Sequence, residues 1–270
     1  MKSMPNRNLL LFLSSVVLFF TACYQPKEGC LDINATNFDA TADEECCCQY
    51  PVLQLKFKHF ASGNEFSASD TILNDFGQQF RIPSFAFYFS DFEFTGTSGN
   101  KVQVSDTIRL PAPFDSIVLK KDIALVRAIT SNALLGRFIQ EESFTKLNFQ
   151  AGVPSAADGA VLSKIPSTSE LSAQPDTLYD ATKAYVSVKY VFSTGIEQGS
   201  SERFIRIFQD IPFSFNIDLP LIRANNTCVT IVIDHAAVFH NVDVKNDNDE
   251  TIKNKLVNNL QSAIVLIPCN

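Results

Sequence analysis

Residues 53–59 read LQLKFKH and alternate between apolar and polar side chains. The odd-numbered positions, from Leu53 to His59, carry the apolar or aromatic groups. Successive side chains of a β-strand point to opposite faces, so this stretch predicts a strand with one buried face. Residues 85–89, FAFYF, repeat the pattern with phenylalanine, of which the chain has 24, and Phe92 and Phe94 follow. The pattern indicates a β protein with a large aromatic core.

Further alternating or apolar runs continue to the C-terminal part, and turn-like stretches such as TSGN at 97–100 separate them. The runs cover residues 103–110, 116–127, 143–150, 184–193, 203–208, 211–217 and 227–234. Many short strands of this kind are typical of an antiparallel sandwich. We therefore expect an all-β fold, an antiparallel and immunoglobulin-like β-sandwich, over residues 52–270.

One helix is expected near the C-terminus. Ile252, Leu256, Leu260 and Ile264 recur at a spacing of four, which is typical of one face of a helix. Residues 129–141 are interpreted as a short helix. Residues 154–180 are rich in Ser, Ala, Pro and Asp and are interpreted as a long loop or lid.

The N-terminus has the pattern of a secretion signal. Lys2 and Arg7 precede an apolar run over residues 9–20, which as a helix would span about 18 Å. A bilayer core of about 30 Å needs a longer segment, so the run indicates a signal peptide rather than an anchor. Small residues come directly before Cys23, as lipoprotein processing requires. We expect residues 1–22 to be removed and Cys23 to be lipidated, and residues 23–51 to form a tether and a small insert.

The position of Gln25 bears on localisation. An Asp two residues after the lipidated cysteine would argue for retention at the inner membrane, and its absence favours the outer membrane. Lys27 and Glu28 form a short charged patch of the kind that acts as a surface-export tag in some lineages. The sequence leaves open whether the anchored protein faces the periplasm or the cell surface. The membrane is an expected partner through the lipid anchor.

The charge balance excludes one class of partner. Removal of Lys2 and Arg7 with the signal takes the formal charge from -7 to -9. Nucleic-acid binding requires clustered Lys and Arg, and no basic block is present. The chain has no Trp, and both methionines, Met1 and Met4, lie in the signal.

Six cysteines remain besides Cys23, and an even number in an exported chain predicts disulfides. Cys228 and Cys269 stand apart from the others, and we expect them to pair. Cys30 is expected to pair with Cys48 or with one of its neighbours, Cys46 and Cys47. A thiolate metal site at 46–48 is disfavoured, because zinc sites usually space their cysteines by two to four residues.

Residues 30–50 form an acidic insert. The stretch from Gly29 to Pro51 is similar to a small motif of exported bacterial proteins, of the form Gly-Cys-x-Asp-x-x-Ala-x-Asn-Tyr/Phe-Asp followed by Cys-x-Tyr. Such a short segment needs a disulfide, because it cannot build a core of its own. Hard oxygen ligands of the kind that Ca²⁺ prefers are offered by Asp32, Asn34, Asn37, Asp39 and Asp43. The insert is either a disulfide-stapled spacer or a calcium site.

The larger part of the chain resembles a known family. LKFKHF at 55–60, NDFG at 74–77, FYFS at 87–90, LNFQAGV at 147–153 and YVSVK at 185–189 are similar to the MbnP-like domain, which is named after a periplasmic copper-binding protein of methanobactin operons. The resemblance is diffuse and covers residues 52–268. It implies a β-sandwich and a copper-binding accessory function.

The departures from the family pattern limit that implication. Residues 178–185, LYDATKAY, replace a family segment that is often rich in Met and Trp, so any family chemistry on an oxidised Trp is excluded. Soft or borderline copper ligands are Cys, Met and His. With Met absent and the cysteines paired, His59, His235 and His240 are the candidate copper ligands. His59 can meet His235 if the first and last strands pair, which many sandwiches permit.

Catalytic signatures are absent. Asp234 and His235 are adjacent, but the sequence has no Gly-x-Ser-x-Gly elbow. The acidic run before the C-terminal helix is expected to cap that helix. We expect a non-enzymatic lipoprotein of the cell envelope that binds copper. The alternative is a structural or interaction lipoprotein that binds an envelope protein or a glycan without a transition metal.

Overall fold

The computed structural model describes residues 25–172, 178–180, 184–197 and 199–269. The expected signal peptide and the expected lipidation site, Cys23, lie outside the described residues. Contacts divide the chain into two compact units, Met1–Gln49 and Tyr50–Asn270. The smaller unit contains two short strands, β1 (Glu28–Gly29) and β2 (Glu44–Glu45), which pair in parallel. Among the described residues no helix is long and apolar enough to cross a membrane.

The larger unit consists mainly of strands, as expected. They are β3 (Val52–Ala61), β4 (Asn64–Glu65), β5 (Ile72–Leu73), β6 (Gln79–Phe80), β7 (Ser84–Gly96), β8 (Lys101–Gln103), β9 (Thr107–Pro111), β10 (Ser116–Lys120), β11 (Ala124–Arg127), β12 (Asn132–Arg137), β13 (Phe144–Ala151), β14 (Tyr179–Asp180), β15 (Ala184–Tyr185), β16 (Val188–Ser193), β17 (Glu202–Ile207), β18 (Ile211–Leu219), β19 (Thr227–Asp234) and β20 (Ile264–Pro268). The α-helices are α1 (His235–Val238) and α2 (Asp249–Ala263).

Two sheets form the sandwich. The larger has the strand order β17-β16-β7-β13-β18, and β11 and β8 also pair with β7. The smaller has the order β12-β3-β19-β20, and β4 also pairs with β3. All of these pairs are antiparallel except β3 with β19, which run parallel. The expected all-β sandwich with a C-terminal helix is confirmed, with one parallel pair in place of a fully antiparallel arrangement.

Phenylalanine rings fill the space between the sheets. Phe57 of β3 stacks on Phe89 of β7 with ring centroids 6.3 Å apart. Phe87, Phe92 and Phe94 on the same strand are fully buried. Burial of each such side chain stabilises the fold by about 1.5–3 kcal/mol. The phenylalanines that recur along this stretch of sequence therefore form the inward face of β7.

A bulge in β7 keeps this face continuous. The pairing with β13 shifts register between residues 90 and 93, and Asp91 adopts a left-handed φ of 58°. A bulge inserts one extra residue into a strand, so Phe92 and Phe94 return to the core although they lie out of step with Phe89. The backbone N–H of Phe92 donates to the buried Asp122 at 3.2 Å.

The expected short helix at 129–141 is wrong. Residues 132–137 form β12, which pairs with β3 at the edge of the smaller sheet. Gly136 disfavours a helix, and its backbone N–H donates to the carbonyl of Lys121 at 2.7 Å. A Cβ at this position would lie 2.5 Å from the side chain of Val104, so the close approach of these two segments requires glycine.

The described parts of residues 154–180, which are 154–172 and 178–180, form a covering segment. Within it, Ser155–Gly159 and Leu162–Lys164 are short 3-10 helices, and residues 173–177 lie outside the described part. Leu171 and Leu178 are buried in a second apolar cluster with Tyr88 of β7. The loop expected from composition thus covers the outer face of the larger sheet.

The expected C-terminal helix is confirmed as α2. The side chain of Asn248 accepts a hydrogen bond from the backbone of Thr251 at 2.9 Å, which caps the first turn. Asp249 and Glu250 occupy that turn and complement the positive end of the helix dipole. Leu256 and Leu260 are fully buried.

Candidate metal centre

The pairing of β3 with β19 brings two histidines together. The parallel register places Ile233 beside His59 and Asp234 beside Phe60. Strand β19 ends at Asp234, whose carboxylate accepts the backbone N–H of Ala236 at 3.0 Å and so caps α1. This change from strand to helix turns His235, the next residue, into the core, where it is fully buried.

The two imidazoles are in direct contact. Nδ1 of His59 lies 3.2 Å from Nε2 of His235. The opposite nitrogen of the second ring, Nδ1 of His235, lies 2.8 Å from the hydroxyl of Tyr190 on β16. His59, His235 and Tyr190 therefore form one buried hydrogen-bonded chain that spans the two sheets.

Aromatic rings enclose the pair. The ring centroid of Phe85 lies 4.1 Å from that of His235 and 4.8 Å from that of His59. Phe66 lies 4.7 Å from His235. These contacts remove the imidazoles from water, and charge is costly in such surroundings.

Burial keeps both histidines neutral. It lowers the pKa of His59 to about 4, and the nearby backbone of Thr130 offsets part of that change. Burial also lowers the pKa of His235 well below its usual value, and the neighbouring His59 lowers it further. The pKa of Tyr190 is raised well above 10 by burial and by Asp234. At neutral pH the chain of three groups is uncharged.

One nitrogen of the pair has no partner. Nε2 of His59 is buried and makes no hydrogen bond within the described part of the chain. His59 also lines a pocket of about 250 Å³ between β3 and the segment 128–131. Glu65 and Thr130 are among its other lining residues. His59 beside this pocket is 8% exposed, whereas His235 is fully buried.

His240 does not join the pair. It follows α1, its side chain is largely exposed, and its Nδ1 lies 2.9 Å from the carboxylate of Asp75. Among the residues that the structure describes, no three His, Cys, Asp or Glu side chains are grouped closely enough to hold a metal ion. The expected set of three histidines is therefore reduced to His59 and His235.

The donors of the pair suit copper better than zinc. Imidazole is a good ligand for both metals. Zinc in structural sites takes four ligands, whereas Cu(I) is stable with two. The facing nitrogens are 3.2 Å apart, whereas two nitrogen–metal bonds of about 2.0 Å in a line span about 4 Å. One ion would therefore bind both rings only after the hydrogen bond between them is broken and the rings move apart. As ligand types, the two imidazoles fit Cu(I).

Four of the five side chains expected to bind calcium in the insert make local contacts, and Asn34 takes part through its backbone N–H. Oδ1 of Asp32 accepts the backbone N–H of Asn34 at 2.9 Å. The amide of Asn37 donates to the carbonyl of Cys47 and accepts from the backbone of Gln49. Asp39 pairs with Lys27 at 2.6 Å, and Asp43 accepts the backbone N–H of Lys27 at 2.9 Å. These contacts favour the stapled spacer over the calcium site.

The disulfides include both pairs favoured from the sequence. Cys30 is bonded to Cys48 in the small unit, and Cys228 is bonded to Cys269 in the large one. A third bond joins the adjacent residues Cys46 and Cys47.

Sequence reasoning missed Tyr190, Phe66 and Phe85 as neighbours of the histidines. Tyr190 lies in the alternating run 184–193, whose pattern assigns it to one face of a strand. It does not reveal that this face meets the end of β19. Only the pairing of strands far apart in the chain supplies that information.

A family model for MbnP matches residues 50–255. The chain belongs to the MbnP family. Among solved structures it is similar to MbnP from Methylosinus trichosporium, with a TM-score of 0.53 and 12% identity, over 81% of this chain and 99% of that one. At this identity the similarity shows the MbnP fold and nothing finer. No curated protein sequence matches the chain.

Proposed function

We propose that this MbnP-family chain is a non-enzymatic copper-binding lipoprotein of the outer membrane, anchored through Cys23, with Cu(I) held by His59 and His235. The observation that carries the proposal is the pair of buried, neutral imidazoles with their facing nitrogens 3.2 Å apart. A bound copper ion would supply a soft, redox-capable centre for storage or delivery.

The residues around the pair have separate roles. The Tyr190 hydroxyl fixes the ring of His235 through its Nδ1, as outer partners of metal ligands commonly do. Phe66 and Phe85 exclude water and hold both rings in place. Because both histidines are already neutral, a metal ion can bind their lone pairs without displacing a proton into solvent.

Copper titration tests the proposal. The exported full-length protein, purified in detergent without thiol reductants so that its disulfides stay closed, is titrated with Cu(I) in the presence of ascorbate and a competing chelator. We expect about one tightly bound ion per chain, and at least a tenfold weaker affinity for the His59→Ala/His235→Ala variant. His240→Ala is the matched control and should bind as the wild type does. Equal affinity in all three proteins would refute the copper site.

A second candidate function is an interaction lipoprotein without a transition metal, which binds an envelope protein or a glycan. The tip of the β9–β10 hairpin is the surface to test for it, because Phe114 there is fully exposed to solvent and is available to contact a partner. Elemental analysis of the protein purified from its own envelope separates the two. Copper supports the first, and a metal-free protein that loses a partner on Phe114→Ser supports the second.

A further inference from the structure

The small unit contains a disulfide between two consecutive residues. Cys30 and Cys48 match the first and last cysteines of the small exported motif, and they are bonded to each other. Cys46 and Cys47 are additional to that motif, and they too are bonded to each other. The staple of the insert is therefore complete without the second bond.

The bond between neighbours stabilises the fold least. A disulfide stabilises mainly by restricting the unfolded chain, and the effect grows with the length of the loop that it closes. The sequence separation is 1 for Cys46–Cys47, 18 for Cys30–Cys48 and 41 for Cys228–Cys269. Opening the first bond therefore releases almost no chain entropy, whereas the other two constrain long segments.

Other contacts hold the loop around this bond. The backbone N–H of Cys46 donates to the carbonyl of Gly29 at 2.9 Å. The amide of Asn37 donates to the carbonyl of Cys47 at 2.8 Å, and its oxygen accepts the N–H of Gln49 at 2.8 Å. None of these contacts depends on the two sulfur atoms. The loop is expected to keep its shape when the bond opens.

The pair is also accessible. Cys47 is exposed, and Cys46 is half-buried, as is Cys48 of the neighbouring staple, whereas Cys30 of that staple is 1% exposed. Among the described cysteines, only Cys47 is exposed. Cys47 has a left-handed φ of 57°, a conformation that non-glycine residues rarely adopt. Exposed disulfides are the labile ones, because a thiolate must reach a sulfur atom to exchange with it.

We propose that Cys46–Cys47 is a reducible pair that, once opened, becomes a two-thiolate site for Cu(I). A dithiol reductant supplies the electrons. One of its thiolates attacks a sulfur of the pair, forms a mixed disulfide and releases the other cysteine. Its second thiolate then attacks the reductant's own sulfur in the mixed disulfide and expels the bound cysteine, so that the products are the reductant's disulfide and the thiols of Cys46 and Cys47. Two electrons and two protons pass to the protein in this exchange.

The two released thiols are soft ligands, and Cu(I) is a soft monovalent ion that binds such ligands. Thiolates bind soft and borderline ions such as Cu(I) and zinc, and binding of Cu(I) displaces the two thiol protons. Zinc sites need four ligands at wider spacing, and here only two sulfurs are released. This site lies in the small unit and stands independently of the histidine pair in the large one.

Thiol mapping followed by copper retention tests both halves of the proposal. The full-length His59→Ala/His235→Ala protein is treated with dithiothreitol under native conditions, alkylated with N-ethylmaleimide at intervals, and mapped by peptide mass spectrometry. We expect Cys46 and Cys47 to be labelled at least tenfold faster than Cys30, Cys48, Cys228 and Cys269. Simultaneous labelling of all six, or recovery of Cys46 or Cys47 bonded to another residue, would overturn the proposal.

A parallel unalkylated sample receives Cu(I) and is then desalted. We expect about one retained ion per chain after reduction and none before it, and loss of retention in a Cys46→Ser/Cys47→Ser variant in the same background. Because the histidines are absent, failure here does not bear on the histidine site. Retention that is equal with and without these two cysteines would refute the thiolate site.

Discussion

Nδ1 of His59 and Nε2 of His235 lie 3.2 Å apart in the core, and one hydrogen bond joins the two neutral rings. Each neutral ring carries one proton, so one facing nitrogen donates and the other accepts. When Nε2 of His235 accepts from His59, Nδ1 of His235 donates to the hydroxyl of Tyr190. When Nε2 donates, Nδ1 accepts from that hydroxyl. The chain of three groups has two proton arrangements, and neither carries a net charge.

Copper affinity should depend little on pH. Both facing lone pairs become available when the protons occupy the outer nitrogens of the two rings, and this shift releases no proton to solvent. Because burial already lowers the pKa of His59 to about 4, protons do not compete for it near neutrality. We expect the Cu(I) dissociation constant to change less than threefold between about pH 7 and pH 5.5, as measured by chelator competition.

The copper affinity of two exposed histidines, each with an ordinary pKa near 6.5, depends on pH much more strongly. Such a pair would lose affinity roughly a hundredfold for each pH unit below that value, because two protons must be displaced. A loss of that size in the wild-type protein would contradict the buried pair as the copper ligand.

Tyr190→Phe should weaken copper binding without replacing a ligand. The change removes the hydroxyl that orients His235, and loss of such outer partners typically costs 10–100-fold in metal affinity. Tyr185→Phe is the matched control, because it also removes a buried hydroxyl, the one that donates to the carbonyl of Leu171 at 2.9 Å. Each variant should lose about 1–2 kcal/mol of unfolding free energy. Only the first should lose affinity, and an equal loss in both would assign Tyr190 a purely structural role.

The stability of the metal-free protein should fall in mild acid because of His59. Its pKa is depressed from 6.5 to about 4 in the folded protein, so the unfolded chain binds the proton first. The stabilisation is complete above pH 6.5 and is lost as the pH falls from 6.5 to about 4. The loss from this residue alone is about 3 kcal/mol, measured by urea unfolding at several pH values.

A His59→Gln variant isolates this effect. The substitution removes the titrating imidazole. Between pH 6.5 and about pH 4, the unfolding free energy of the variant should therefore fall less steeply than that of the wild type, by about 1.4 kcal/mol per pH unit. The comparison concerns slopes, so a uniform loss of stability in the variant does not affect it. Parallel curves for the two proteins would show that His59 is not buried in its neutral form.

The sequence predicts the strands better than it predicts the site. Alternation at 53–59 and 85–89 depends on local periodicity, which a strand must show whenever one face is buried. The meeting of His59 with His235 depends on a pairing between strands 170 or more residues apart, which no local pattern records. The short helix expected at 129–141 was wrong for a related reason. Strand β12 exists because β3 offers it an edge, and this tertiary contact overrides a weak local preference.

Asp122 should destabilise the folded protein at neutral pH. Burial, and then the nearby carboxylate of Asp91, raise its pKa from 3.8 to about 6, and its Oδ1 has no hydrogen bond within the described residues. A raised pKa means that the stabilisation is complete below pH 3.8 and is lost as the pH rises through about 6. The difference in unfolding free energy between the wild type and Asp122→Asn should therefore shift by about 3 kcal/mol, in favour of the variant, from pH 4 to pH 7.

The asparagine retains an oxygen that can accept the N–H of Phe92, so the bulge in β7 is expected to persist in the variant. Asp91→Asn serves as the second variant. Because burial rather than Asp91 is the main cause of the raised pKa, this variant should keep most of the wild-type pH dependence. A pH-independent difference between the wild type and Asp122→Asn would mean that water reaches the carboxylate, and that β7 opens at its bulge.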